Sequence, residues 1–330
     1  MELRKLGDSE IKITPLIFGA WAIGGFKWGG TDREAAVAAI KKAIDMGING
    51  IDTAPIYGFG LSEEIVGEAI NGIRDKVYVF TKCGLRWDLE KGEFFYETRD
   101  ENGRTVRIYR YSGKEGIIFE CEESLKRLKT DYIDLYQVHW PDSTTTIEET
   151  MEALDKLLKE GKIRAAGVSN YSVQQLDKAR SVIDIISNQV PYSMVNRGIE
   201  ADMVPYCIKN DVGILAYSPL QRGLLTGKIT PEYQFKGDDH RKDNPFFTKE
   251  NRIKVLELLE KIRPIAEDHN ATLAQLVLAW TVRRPGITAA LAGTRNPSQA
   301  EENFSALEIE LSEDEMEEIT RYADETKLDV

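Results

Sequence analysis

Residues 47–60 read GINGIDTAPIYGFG. The first six residues form a short apolar run that ends at Asp52. Tyr57 follows, and Gly58 and Gly60 lead into a segment with helical character. The reading of these glycines decides the fold. Gly58 to Glu63 begins like the dinucleotide fingerprint G-x-G-x-x-G, but its last position is Glu63. The preceding strand has also ended too early, because the fingerprint's tight turn must follow a strand directly. Gly58 and Gly60 are therefore read as loop formers, like Gly24, Gly25, Gly29 and Gly30. An open nucleotide-binding sheet loses its main signature, and the chemistry of the segment moves to Asp52 and Tyr57.

Working outward, short β-branched and aromatic runs recur along the chain, and eight of them read as strands. They are LIFGAW (16–21), GINGID (47–52), VYVFTK (77–82), YIDLYQVH (132–139), IRAAGVS (163–169), DIISNQ (184–189), GILAYS (213–218) and ITAALAG (287–293). Helical patterns lie between them. Ser or Thr followed three residues later by Glu or Gln satisfies orphan amides in both directions, which marks a helix start. Such pairs occur at Thr31/Glu34, Thr146/Glu149, Ser172/Gln175, Thr272/Gln275, Ser298/Glu301 and Ser312/Glu315. Gly47 and Gly161 stand where a helix would stop.

Strand and helix alternating eight times without a polar linker predicts an α/β fold. It is a single (β/α)8 TIM barrel over residues 1–330, with an open doubly wound sheet as the alternative. Ahead of the first barrel strand, ELRKLG and IKIT flank DSE and read as a small hairpin over the barrel floor. Residues 84–113 form a long insertion, in which Asn102-Gly103 suits a two-residue type I′ turn. Residues 221–248 form a second long loop, and long loops at one end of a barrel often carry function.

With 42% apolar and 30% charged residues, the composition is that of an ordinary globular protein. Lys and Arg total 43 against 55 Asp and Glu, a formal charge of −12. Such a chain repels nucleic-acid backbones and anionic membranes, so neither is an expected partner. No signal core or spanning run stands out, and a cytoplasmic location is expected. Cys83, Cys121 and Cys207 are far apart and read as structural thiols. With only His139, His240 and His269 available, no metal site is expected.

A barrel gathers the carboxyl ends of its strands into one mouth. The polar residues there are Asp52, Lys82, His139, Ser169 with Asn170, Gln189, Ser218, and Thr294 with Arg295. A lysine paired with an aspartate beside a phenol is expected to lower the pKa of Tyr57 from about 10 and make it a usable proton donor. Carbonyl reduction needs such a donor, because negative charge develops on oxygen as hydride arrives at carbon. His139 is placed to hydrogen-bond the same oxygen. Singly, Asp52 is equally a helix cap, Lys82 a rim charge and His139 a core histidine. Their convergence with a tyrosine favours chemistry.

The sequence resembles the aldo-keto reductases over essentially its whole length. IDTAPIYGFGLSEEIVGEAI, FTKCG and DYIDLYQVHWPD match the family's aspartate–tyrosine, lysine and histidine motifs. GKIRAAGVSNYS, AYSPLQRGLLTGK and LAGTRNPSQAEEN match its cofactor motifs. The pattern is similar to the branch holding bacterial general-stress and inositol-operon reductases and, more distantly, potassium-channel β subunits. The resemblance implies a catalytic tetrad of Asp52, Tyr57, Lys82 and His139, with Tyr57 as general acid. It also implies an extended nicotinamide dinucleotide across the mouth. Ala20 and Trp21 border the nicotinamide, Ser169, Asn170 and Gln189 hold its carboxamide, and Tyr217 stacks on its ring. Ser218, Pro219, Leu220, Arg222, Gly223 and Lys228 cover the pyrophosphate. Gly293, Thr294, Arg295, Gln299, Glu302 and Asn303 hold the adenosine end.

Arg295 near the start of a helix suits a ribose phosphate, which points to NADPH over NADH unless Glu301 or Glu302 neutralises it. The implied reaction is reduction of aldehydes and ketones to alcohols, with a small-molecule carbonyl as partner and no obligate protein partner. An NADP(H)-binding redox sensor is the alternative; retention of His139, altered in the channel subunits, favours the enzyme. A metal-dependent hydrolase using Asp52 and His139 lacks further ligands. The one departure from the family's pattern is the insertion at 84–113, whose Phe94, Phe95, Tyr96, Tyr109 and Tyr111 form either an apolar lid or a surface hairpin. Trp21, Trp87 and Trp140 suggest a partly apolar pocket.

Overall fold

The computed structural model describes residues 2–25, 30–100, 102–235, 239 and 241–330; Gly29 and His240 lie outside the described residues. A two-strand antiparallel hairpin comes first, β1 (Arg4–Lys5) and β2 (Lys12–Ile13). The alternation then begins with β3 (Leu16–Gly19), α1 (Arg33–Asp45), β4 (Gly50–Asp52), α2 (Leu61–Ala69) and β5 (Tyr78–Cys83). The insertion supplies β6 (Leu85–Arg86), β7 (Glu93–Arg99) and β8 (Thr105–Arg110). It returns to α3 (Lys114–Leu128), β9 (Ile133–Val138), α4 (Ile147–Lys159), β10 (Ile163–Ser169), α5 (Val173–Arg180) and β11 (Ile185–Pro191). The last part holds α6 (Met203–Lys209), β12 (Gly213–Tyr217), α7 (Lys249–Asp268), α8 (Leu273–Val282), β13 (Ile287–Gly293), α9 (Pro297–Phe304) and α10 (Glu313–Glu325).

All eight expected strands are present, and they close in the order β3-β4-β5-β9-β10-β11-β12-β13, with β13 returning to β3. Every ladder is parallel. The strands are buried on both faces, as a covered parallel sheet requires. Outward side chains pack on the helices in one large cluster; inward ones, including Ile17, Phe80, Leu135, Leu215 and Ala289, fill the lumen. Leu6, Ile11 and Ile13 of the N-terminal hairpin join that inner cluster, so the hairpin closes the barrel floor.

Four of the six capping pairs mark helix starts as expected. Ser172/Gln175, Thr272/Gln275 and Ser312/Glu315 form complete capping boxes, while Thr146 accepts from the amide of Glu149 at the start of α4. Two starts differ from expectation. Asp32, not Thr31, caps α1 by accepting from Ala35, because the Thr31 hydroxyl is donated to the Ile23 carbonyl, 2.8 Å away. Asn296, not Ser298, caps α9, with Pro297 in the first turn, where its missing N–H costs nothing. The insertion turn also departs from the two-residue form. Its ladder closes on Asp100 and Arg104, leaving three residues between, with Gly103 at φ +76°. A three-residue loop of this kind takes a glycine at its left-handed position.

Candidate active site at the barrel mouth

Adjacent strands β4 and β5 carry Asp52 and Lys82 to the carboxyl end of the barrel. Lys82 Nζ donates to Asp52 Oδ1 at 2.5 Å and to the Thr53 carbonyl at 2.9 Å. Both side chains are almost wholly buried. The remaining oxygen of Asp52, Oδ2, accepts from Gln189 Nε2 at 2.8 Å and from Gln137 Nε2 at 3.2 Å. A buried carboxylate is thus satisfied by one cation and two amides, the condition under which such a charge is tolerated.

Tyr57 reaches this pair from the loop between β4 and α2. The loop is shaped by a close backbone approach: a Cβ on Gly58, which has φ +68°, would lie 2.2 Å from the Gly24 carbonyl oxygen. Only glycine fits there. This is the role of the glycines that imitate a dinucleotide fingerprint; Gly60, at φ +104°, then caps α2. The Tyr57 ring lies 5.1 Å from Lys82 Nζ. Its centroid is 5.8 Å from that of His139, edge to face at 83°, and 6.2 Å from that of Trp21. Four residues from separate strand ends therefore surround one space.

The electrostatics correct one expectation. The Tyr57 hydroxyl is pushed well above its usual value, first by burial and then by Asp52, rather than lowered by Lys82. The main cause is the cost of forming a phenolate out of water, and the negative charge of Asp52 adds to it. Burial also lowers Lys82, against the opposing pull of Asp52. His139 is held well below 6.5 by burial and by the nearby Lys82 charge, so its ring is neutral at pH 7.

Around this centre, Ser169, Asn170 and Tyr217 form a hydrogen-bonded group. Asn170, at φ +61°, donates to the His139 carbonyl and to Ser169 Oγ, both at 3.0 Å, and accepts from the Tyr217 hydroxyl at 2.8 Å. Ser169 Oγ donates to the Gln189 carbonyl at 2.8 Å. Ala20 is buried, its amide bound to the Asp52 carbonyl at 2.8 Å.

The loop after β12 runs Ser218, Pro219, Leu220, then a short helical turn over Gln221–Thr226. Ser218, Gln221, Arg222 and Gly223 all have positive φ. The Arg222 guanidinium lies 5.5 Å from the Trp21 ring centroid. Lys228 is exposed and faces Glu302 at 3.8 Å. Opposite, Gly293 and Thr294 lead into α9, where Asn303 Nδ2 donates to the Gly293 carbonyl and Gln299 Oε1 accepts from the Arg295 amide. Arg295 Nη2 donates to the Gly30 carbonyl at 2.5 Å. Glu301 pairs with Lys42 at 3.1 Å and Glu302 faces Lys228 at 3.8 Å, so both carboxylates expected to compete for Arg295 have another cation.

These residues suit an extended dinucleotide. Thr294 Oγ1 is buried without a hydrogen-bond partner, and it sits beside the N-terminus of α9, where backbone amides and the helix dipole favour an anion. Arg222 beside Trp21, Lys228 facing Glu302 of α9, and Arg295 just before α9 add positive charge.

The insertion folds as a small antiparallel sheet in the order β6-β8-β7, packed on the loops that carry Tyr57 and Trp140. One face, with Phe95, Tyr96, Val106 and the fully buried Ile108, packs with Ala54, Ile56, Tyr57, Trp87 and Trp140. Phe95 and Trp140 lie 5.5 Å apart, and the Arg110 guanidinium is 4.0 Å from the Phe95 ring and 5.4 Å from Trp140. Glu93 Oε2 accepts from Ser143 Oγ at 2.8 Å, fastening the hairpin beyond β9. Phe94 and Tyr109 stack edge to face on the other side, with Phe94 exposed, and Tyr111 packs beside Lys91 and beneath Gly113.

Gln137 was not anticipated from sequence. It lies two residues before His139 and alternates inward with Leu135, a period-2 signal that identifies it as lumen-facing once β9 is recognised. Cys83, Cys121 and Cys207 are buried free thiols. Among the described residues no group of three or more His, Cys, Asp or Glu gathers in a way that would hold a metal, and no helix is long and apolar enough to cross a membrane.

Comparison with known proteins agrees with this geometry. The chain is 42% identical to aldo-keto reductase YhdN of Bacillus subtilis over 91% of its length and 87% of the relative's. It is 38% identical to an NADH-specific methylglyoxal reductase of Escherichia coli, covering 93% and 94%. The structure of a glycerol dehydrogenase from Gluconobacter oxydans superimposes with a TM-score of 0.88 at 37% identity, covering 98% and 95%. An aldo/keto reductase from Klebsiella pneumoniae in complex with NADP and acetate gives 0.73 at 30% identity, covering 97% and 95%. The profile of the Aldo/keto reductase family matches residues 15–324. The chain is a (β/α)8 oxidoreductase that belongs to the aldo/keto reductase family.

Proposed function

We propose that this protein reduces aldehydes and ketones to alcohols with NADPH as the preferred cofactor, and that Tyr57 is the general acid. The observation that carries the reading is the buried Lys82–Asp52 pair beneath the Tyr57 ring, with the neutral His139 ring edge-on to it. A reduced nicotinamide bound across the mouth supplies the hydride. Tyr57 Oη holds the proton that the carbonyl oxygen takes as charge develops there; burial keeps that proton in place at neutral pH. His139, neutral, donates an N–H to the same oxygen and orients the carbonyl. Lys82 places a positive charge below the phenol, and Asp52 keeps it there.

Ala20, Trp21, Ser169, Asn170, Gln189 and Tyr217 would border the nicotinamide. Ser218, Pro219, Leu220, Arg222, Gly223 and Lys228 would cover the pyrophosphate. Gly293, Thr294, Arg295, Gln299, Glu302 and Asn303 would hold the adenosine end, with Arg295 toward a 2′-phosphate. The related NADH-specific reductase makes NADH the competing cofactor.

The test is NADPH oxidation with an aromatic aldehyde by wild type and Tyr57→Phe, repeated with NADH. Wild-type turnover and its loss by roughly 100-fold or more in the variant is the expected result, since a positioned acid contributes about that much. Undiminished turnover in the variant removes Tyr57 from the role. NADPH binding without turnover by wild type favours the redox-sensor reading.

A further inference from the structure

Gln137 and Gln189 form an amide pair between the Asp52 charge and the group expected to hold the cofactor's carboxamide. Gln137 is wholly buried on β9, directly beside Lys82 in the β5–β9 register. Its space is set by Gly167 on the neighbouring strand, where a Cβ would stand 3.1 Å from Gln137 Cγ. Gln137 Nε2 donates to Asp52 Oδ2, and its Oε1 accepts from Gln189 Nε2 at 3.4 Å. Gln189 Nε2 also donates to Asp52 Oδ2. A primary amide has two N–H donors, so both donors of Gln189 are committed and its oxygen is the group left for a ligand.

We propose that Gln137 is a positioning residue: it fixes the flip of Gln189 so that an acceptor, not a donor, meets the nicotinamide carboxamide, and it shares the Asp52 charge that faces Tyr57. The first half rests on the proposed placement of the nicotinamide carboxamide at Gln189, the second half on the reductase reading. The first half concerns binding. With Gln189 locked, the site accepts from the N–H of a carboxamide and repels a carboxylate in its place. Without Gln137, Gln189 is free to turn and present N–H to either.

For the second half, the groups facing Tyr57 are Asp52 and Lys82 from β4 and β5, His139 after β9, Tyr96 from the insertion and Tyr217 from β12. Arg222 lies over Trp21, and Glu63 acts on Lys82. Among the described residues, Asp52 is the charge that opposes phenolate. Removing a donor from Asp52 strengthens that opposition and moves the ionisation of Tyr57 upward.

The experiment compares wild type, Gln137→Met and Gln137→Glu. The Glu carboxyl, beside Asp52, retains a proton, because two adjacent carboxylates do not both ionise; it therefore still donates to Asp52 and accepts from Gln189. Two quantities are read: the ratio of dissociation constants for NADPH and its nicotinic-acid analogue, and the pH dependence of alcohol oxidation with NADP+. The expected result is a loss of carboxamide preference of about 10-fold in Gln137→Met and an alkaline shift of its profile by roughly one unit, hence about 10-fold slower oxidation on the rising limb. Gln137→Glu keeps the wild-type binding ratio, read at neutral pH where its carboxyl holds the proton. An unchanged binding ratio in Gln137→Met, or an equal loss in both variants, overturns the proposal. If wild type binds NADPH yet oxidises no alcohol and reduces no carbonyl, the reductase reading fails while the binding ratio still decides the role of Gln137.

Discussion

Lys82 Nζ stands 2.5 Å from Asp52 Oδ1 with both side chains almost wholly buried. A pair desolvated to this degree contributes little net stability, but breaking it strands a charge. Asp52→Asn is therefore expected to cost about 3 to 5 kcal/mol. The double replacement Asp52→Asn with Lys82→Met is expected to be more stable than Asp52→Asn alone. Urea unfolding of the two variants checks this; a double variant less stable than Asp52→Asn would show that the cation is not the source of the cost.

His139 supplies a second prediction. Its folded pKa lies well below 6.5 because of burial and Lys82, so the unfolded chain binds the extra proton as pH falls below about 6.5. Stability should therefore decline on acidification through that range, since the state binding more protons gains. His139→Phe removes this contribution. Thermal melting between pH 7.5 and 5 should show a smaller fall for the variant, and an identical fall would place the titration elsewhere.

Glu120 on α3 behaves in the opposite sense. Burial lifts its carboxyl from 4.5 to about 8, despite the nearby Arg86 and the bond it accepts from the Gly84 amide at 2.9 Å. The folded state then binds the additional proton between these values, so stability should fall as pH rises from about 4.5 to 8. The loss is up to about 5 kcal/mol for a shift of this size. Glu120→Gln should flatten that slope and melt higher than wild type at pH 8.5. Parallel slopes would show that Glu120 is not its source.

Arg295 tests cofactor choice. If its guanidinium meets a 2′-phosphate, Arg295→Ala should weaken NADPH binding by roughly 10- to 100-fold, the range of a charge-assisted hydrogen bond, and leave NADH little changed. Fluorescence titration of both cofactors reads the ratio. Equal weakening of both would assign Arg295 to the Gly30 contact it makes in the structure.

The sequence alone determined the barrel and most of the mouth. Alternating β-branched runs and capping residues are local signals, and strand ends in a parallel barrel must converge, so Asp52, Lys82 and His139 were legible together. The tertiary structure decided what depends on neighbours distant in the chain. The Tyr57 phenol is raised because burial and the Asp52 charge act together, and the burial is not visible in IDTAPIYGFG. Asp32 replaced Thr31 as a cap because a carbonyl at Ile23 claimed the hydroxyl. The insertion packs where it does because Glu93 meets Ser143 and Arg110 lies over Phe95 and Trp140, contacts that join distant parts of the chain. Gln137 took a place in the site for the same reason: hydrogen bonds across three strands have no periodicity along one.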